Sequence, residues 1–133
     1  MYTKTRIAAI IIQDGKILML RWKGYDELRT PWGKIEEWES DETCLRRELH
    51  EEIGVELIEL NFFKEYSSPA FYTPNKITKQ KIYLTTISGQ ITPNAEIENF
   101  VRLNREDFEN KKYPMIPIDR ESLIPDLIEE RLF

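Results

Sequence analysis

An α/β fold, with a mixed β-sheet flanked by helices, is what this sequence predicts. Three observations carry the expectation. One strongly marked amphipathic helix stands in the first half, strand-like apolar runs lie on both sides of it, and a second helical pattern closes the chain. Residues 5–12 are isoleucine-rich and read as a buried strand, Asp14-Gly15 is a hairpin signal, and residues 16–22 return as a second strand. Residues 23–32, with Gly24 and Pro31, read as a loop. The helix follows: Ser40 is its N-cap, Asp41 and Glu42 suit its first turn, and Gly54 stands at the C′ position. Leu45, Leu49 and Ile53 repeat every four residues and supply the stripe it buries.

Beyond it, residues 55–66 read as a strand bent near Asn61, and residues 67–75, with Pro69 and Pro74, as a loop. Residues 76–88 alternate as a half-exposed strand does. Gly89 and Pro93 mark turns, residues 100–103 a short strand, and Asn104 caps a short helix over residues 105–110. From Asp119 a helical pattern runs through Leu123, Leu127, Ile128 and Leu132, kinked or split at Pro125. There is no repeat or linker, so one domain over residues 1–133 is expected.

Composition narrows the function. No apolar run approaches the ~20 residues that span a bilayer. The single cysteine, Cys44, leaves no intramolecular disulfide and suits a cytoplasmic, reducing setting; it reads as a packing residue. A net charge of −5 argues against duplex nucleic acid as a partner. Eight acids and three Lys/Arg fall within residues 33–55, so this stretch alone has the net charge of the whole chain.

Glu48, Glu51 and Glu52 stand at i, i+3 and i+4, on one side of the helix. Each like-charged i,i+4 pair destabilises a helix by roughly 0.2–0.5 kcal/mol, and Arg47 alone does not balance three glutamates. A hard divalent cation would, since Mg²⁺ takes oxygen ligands and bridges carboxylates to phosphates.

The stretch resembles the Nudix box, G-x5-E-x7-R-E-U-x-E-E-x-G-U with U a bulky aliphatic. Gly33, Glu39, Arg47, Glu48, Leu49, Glu51, Glu52, Gly54 and Val55 match it at every position. Seven fixed positions coincide by chance in about one window per 10⁹. The resemblance implies the Nudix α/β/α sandwich and Mg²⁺-dependent hydrolysis, with Mn²⁺ as a substitute, of a nucleoside diphosphate linked to another moiety. Nucleoside triphosphates or oxidised nucleotides are the leading substrates. Dinucleoside polyphosphates or nucleotide sugars are the alternative, and a non-catalytic nucleotide-sensing module is the rival of a different class. The partner implied is a small nucleotide, with no duplex nucleic acid and no membrane, acting on a monomer or homodimer.

Carried over residue by residue, Glu51 and Glu52 are expected as principal metal ligands, and Glu48 as a further ligand or the general base. Arg47 would orient Glu48, and Glu39 and Gly54 would be structural. Gly33 would permit a tight turn. Trp32, where the family usually has glycine, would offer its backbone carbonyl to metal. Trp38 stands where a further glycine is common. A downstream acidic ligand is expected at Glu96, with Glu98 as the alternative. Trp22, Tyr25, Trp32, Phe71 and Tyr72 are candidates for stacking a nucleobase. His50, the only histidine, points away from the glutamates.

Overall fold

The computed structural model describes residues 3–70, 73–94 and 96–133, Thr3 by its backbone alone. Eight strands and three α-helices follow in the order β1 (Thr3–Ile10), β2 (Ile12–Gln13), β3 (Lys16–Trp22), β4 (Leu28–Arg29), β5 (Trp32–Lys34), α1 (Asp41–Ile53), β6 (Glu56–Pro69), β7 (Ile77–Ser88), β8 (Ile97–Leu103), α2 (Arg105–Glu109) and α3 (Ile124–Glu129) among the described residues. A π-helical turn, Asp119–Leu123, runs directly into α3.

Two four-stranded sheets result. The first has the order β5-β1-β7-β6, with β1 and β7 parallel and the outer pairs antiparallel. In the second, β3 lies between β8 and the short strands β2 and β4. The isoleucine-rich run explains how the core is built. Ile7, Ala9 and Ile11 pack with Leu45, Leu49 and Ile53 of α1, whereas Ala8 and Ile10 pack with Leu123, Ile124 and Leu127 at the end of the chain. A strand apolar on both faces is one covered on both faces. The layers are therefore helix, sheet and helix, a mixed sheet flanked on each side as expected.

Several boundaries differ from the sequence expectation, each for a local reason. The expected loop 23–32 contains β4, and Trp32 begins β5; both strands are too short to show a period. Strand β6 continues through Pro69, which an outer strand tolerates because its amide needs no ladder partner. In place of a bend at Asn61, β6 shifts register against β7 twice, between Leu57 and Glu59 and between Phe62 and Lys64. Strand β8 starts at Ile97 rather than at residue 100. Asp14 and Gly15 both have positive φ, 54° and 73°, as the expected hairpin turn requires.

Pro125 falls in the first turn of α3, and the wider π-helical turn directly before it is where the helix departs from regular geometry. Asp119, fully buried at the start of that turn, accepts the Thr30 backbone amide at 3.0 Å and ties the end of the chain to β4 and β5. Burial pushes its carboxyl up to about 7, against the opposing pull of the Thr30 amide and Arg29. A group that holds its proton more tightly when folded stabilises the fold fully below its unfolded pKa. That contribution is lost as pH rises through about 7. Asp119→Asn keeps an acceptor for Thr30 and cannot ionise. The Tm of wild type, relative to that of the variant, is thus expected to fall from about pH 4 to about pH 7 and to level off above it. Thermal melts across that range check it; parallel Tm–pH curves would contradict it.

Candidate active site

Helix α1 starts where Ser40 Oγ accepts the Thr43 amide at 3.1 Å and stops where Gly54, at φ 68°, sends its amide back to the His50 and Leu49 carbonyls. With Leu45, Leu49 and Ile53 buried, the rotation of the helix is fixed, and so is the direction of its carboxylates. Cys44 is also fully buried among these apolar residues, and its thiol is pushed up to about 12, mainly by burial. That is the packing role, not a place in the site.

Arg47 is the hub. Its guanidinium makes two hydrogen bonds to Glu39, 2.6 Å and 2.8 Å, one to Glu48 Oε1 at 2.8 Å, and a longer one to Glu51 at 3.4 Å. The side chain of Glu39 is wholly buried and also accepts the Glu36 amide at 3.0 Å. The Arg47 fork therefore holds its carboxyl below the usual range. The loop ahead of α1 is thereby clamped to the helix, one turn from the next two glutamates.

Gly33 differs from its expected role. It lies in β5 without a positive φ, and what it supplies is room: a Cβ there would sit 2.0 Å from Glu48 Cγ. Glu48 is thus threaded past a bare stretch of backbone. Trp32 likewise has no positive φ, so tryptophan occupies its position without strain.

Trp22, Trp32, Gly33, Lys34, Glu48, Glu51, Glu52, Glu96 and Ile97 surround a cleft of about 370 Å³. Glu52 is its most buried acid, 8% exposed, and its Oε1 has no hydrogen-bond partner among the described residues. Burial, then the charges of Glu48, Glu51 and Glu96, push its carboxyl up to about 8, with Arg29 pulling the other way. Burial also raises Glu48, opposed by Arg47. Among the described residues no three Asp, Glu, His or Cys side chains are gathered closely enough to cage an ion as they stand. Glu48 and Glu51 lean on Arg47 instead.

The aromatic wall is better organised than the sequence suggests. Trp22 and Trp32 stack with centroids 5.6 Å apart and planes within 7°. The Arg29 guanidinium lies 3.7 Å from the Trp22 ring and 4.0 Å from that of Trp32, and Arg6 lies 3.7 Å from the Trp32 ring. The sequence reading assigned nothing to Arg29, Arg6 or Lys34. Their signal is the fold itself, which brings β1, β3, β4 and β5 together.

Of the other candidates, Tyr25 is 43% exposed and does not line the cleft, Trp38 is exposed, and Glu98 stays outside. His50 is exposed and pairs with Glu56 at 3.2 Å, away from the three glutamates. Phe71 and Tyr72 lie outside the described residues.

The NUDIX domain model matches residues 3–127. Comparison with curated proteins gives no match. Among solved structures, the E. coli ORF135 protein aligns with a TM-score of 0.76 at 27% identity, covering 98% of this chain and 94% of that one. A NUDIX hydrolase from Nitrosomonas europaea aligns with a TM-score of 0.77 at 18% identity, over 97% and 88%. A nudix family protein from Chromobacterium violaceum gives 0.65 at 25% identity, over 79% of this chain and 65% of that one. The matched span takes in the acidic helix, the Arg47 clamp and both covered faces of the sheet, and the chain belongs to the NUDIX domain family.

Proposed function

We propose that the chain is a Mg²⁺-dependent pyrophosphohydrolase of MutT type, cleaving a nucleoside diphosphate linked to another group, with nucleoside triphosphates first among its substrates. One observation supports this most: Glu52 places an unpartnered, buried carboxylate oxygen in a cleft that Glu48, Glu51 and Glu96 also line. Four acids facing one small volume repel each other and any incoming phosphate. Their oxygens are the donors a hard divalent cation requires, so the residues present fit such an ion. Glu52, Glu48, Glu51 and Glu96 would hold it, with the Trp32 carbonyl as a further oxygen. When bound, the ion neutralises the phosphate oxygens and makes a bound water a stronger nucleophile at neutral pH.

The chain's own groups do the rest. Arg47 fixes where Glu48 and Glu51 begin, the Glu39 clamp keeps Arg47 from drifting, and the half-buried Glu48 is the first choice to take the proton of the attacking water. Lys34, on the cleft wall, can neutralise phosphate, and the Trp22–Trp32 stack shields one side from solvent. Phosphoanhydride cleavage needs positioning and charge neutralisation more than covalent chemistry, and this cleft supplies both.

The test is a panel of nucleoside triphosphates, oxidised nucleotides, nucleotide sugars and dinucleoside polyphosphates, assayed with Mg²⁺, with Mn²⁺ and with chelator. Turnover is expected with either cation, lost on chelation and restored by adding Mg²⁺. Saturable nucleotide binding without product would favour a sensing module.

A further inference from the structure

The last carbonyls of an α-helix have no partner within it, and in α1 they are met from far along the chain. The Gly54 amide turns back to His50 and Leu49, while residues 56 and 57, which would serve Glu52 and Ile53, already belong to β6. The stretch between β7 and β8 supplies the missing donors. Thr92 N donates to Ile53 O at 2.8 Å, and Asn94 N donates to Glu52 O at 2.9 Å. The far end of this stretch is tied as well. Ile97 N closes a turn on Asn94 O at 3.0 Å, and Lys23 N, the residue after β3, donates to Glu96 O at 2.8 Å.

What these bonds hold is Glu96. Glu48, Glu51 and Glu52 ride on a helix whose rotation the core fixes, but Glu96 is an exposed residue outside any helix. It nevertheless lines the acidic cleft with them. Its main chain is fastened on one side to the residue after Trp22, a wall of the cleft, and on the other, through Asn94, to the backbone of Glu52. Glu52 is the most buried acid of the cleft, so the loop is anchored on the residue its own acid must work with. An acid on a loose loop would have to be ordered each time an ion bound; one already fastened avoids that cost.

We propose that the Asn94 and Lys23 backbone amides are positioning groups that keep Glu96 at the cleft, and that they set the affinity of the site for its divalent ion through Glu96. This rests on the divalent-ion reading of the cleft and adds to it two residues that touch neither ion nor substrate. Groups that orient a metal ligand from behind typically change metal affinity by about 10–100-fold when removed.

Proline at either position deletes the donor. Asn94 has no positive φ, and Trp22, ahead of Lys23, is in a strand, a conformation that a following proline tolerates. Mn²⁺ binding to nucleotide-free protein, read from the paramagnetic resonance of the free ion, needs no turnover. Asn94→Pro and Lys23→Pro are each expected to weaken it about tenfold, and Asn94→Ala and Lys23→Ala, which keep the amides, to stay within about twofold of wild type. Asn94→Pro/Glu96→Gln should bind no more weakly than Glu96→Gln alone, because the amide acts only through that carboxylate. In turnover, the Mg²⁺ concentration giving half the maximal rate should rise about tenfold in the proline variants, with kcat recovered at saturating Mg²⁺. A merely structural role would lower kcat at every Mg²⁺ concentration and add to the loss in Glu96→Gln. Melts of the metal-free proteins show which proline variants are folded, and either one suffices. Mn²⁺ affinity unchanged in a folded proline variant, additive losses in the double variant, or kcat that stays low at saturating Mg²⁺ overturns the proposal alone. Absence of Mn²⁺ uptake by wild type overturns the divalent-ion reading and the proposal with it.

Discussion

Glu52→Gln is expected to cut kcat by about 10³-fold, while the metal-free protein melts no lower than wild type. The two halves of this result have one origin. Glu52 is the most buried acid of the cleft, one of its oxygens is unpartnered, and its neighbours include three more carboxylates. Its ionised form is disfavoured in the folded protein, which is why its carboxyl is pushed up to about 8. Glutamine keeps the shape and cannot ionise, so the metal-free fold, in which this carboxyl tends to hold its proton, loses little, while the site loses its deepest anionic donor. Mg²⁺ should raise the Tm of wild type by mass action and leave that of the variant nearly unchanged. Steady-state kinetics with paired melts, with and without Mg²⁺, measure all three quantities. Turnover within tenfold of wild type would remove Glu52 from the mechanism.

Arg47→Ala is expected to be the most damaging single change to the fold within the motif. Its guanidinium is the two-point partner of Glu39, whose side chain has no solvent exposure. Removing one member of a buried pair leaves an uncompensated charge and costs about 3–5 kcal/mol. For a chain of this length that amounts to a fall in Tm of roughly 10 °C or more. Lysine should not rescue, because a single ammonium cannot span both Glu39 oxygens while holding Glu48. The double variant Arg47→Ala/Glu39→Gln should regain much of the stability, since the stranded charge is gone. It should not regain turnover, because Glu48 still lacks its anchor. Denaturant melts of the single and double variants give the coupling; independent, additive losses would refute the clamp.

The acidic helix was readable letter by letter because each of its signals is local. Ser40, the four-residue apolar repeat and Gly54 all act within a few residues, and so does the spacing of its glutamates. What could not be read is what the chain brings from afar. Trp22, Arg29 and Trp32 come from three strands and form one layered wall, while Asp119 reaches Thr30 across 89 residues. Gly33 shows the same limit in miniature. Its place in the motif was evident, but that it clears a path for Glu48, rather than making a turn, depends on how β5 lies against α1. The polar pair Thr78 and Gln80 looked like the solvated side of a half-exposed strand, and only the covering 116–122 segment buries it.

The two register shifts in β6 bear on how the protein behaves at high concentration. This strand is the last in its sheet, spans 14 residues and carries Ile58 and Phe62 in the open, features that invite another copy to zip alongside. The extra residues break its rim into short runs whose amides and carbonyls fall out of step, so a straight newcomer could match only a few rungs before the ladder failed. A built-in stagger of this kind guards against fibre-like growth without giving up the apolar side chains that the inner side of the strand needs.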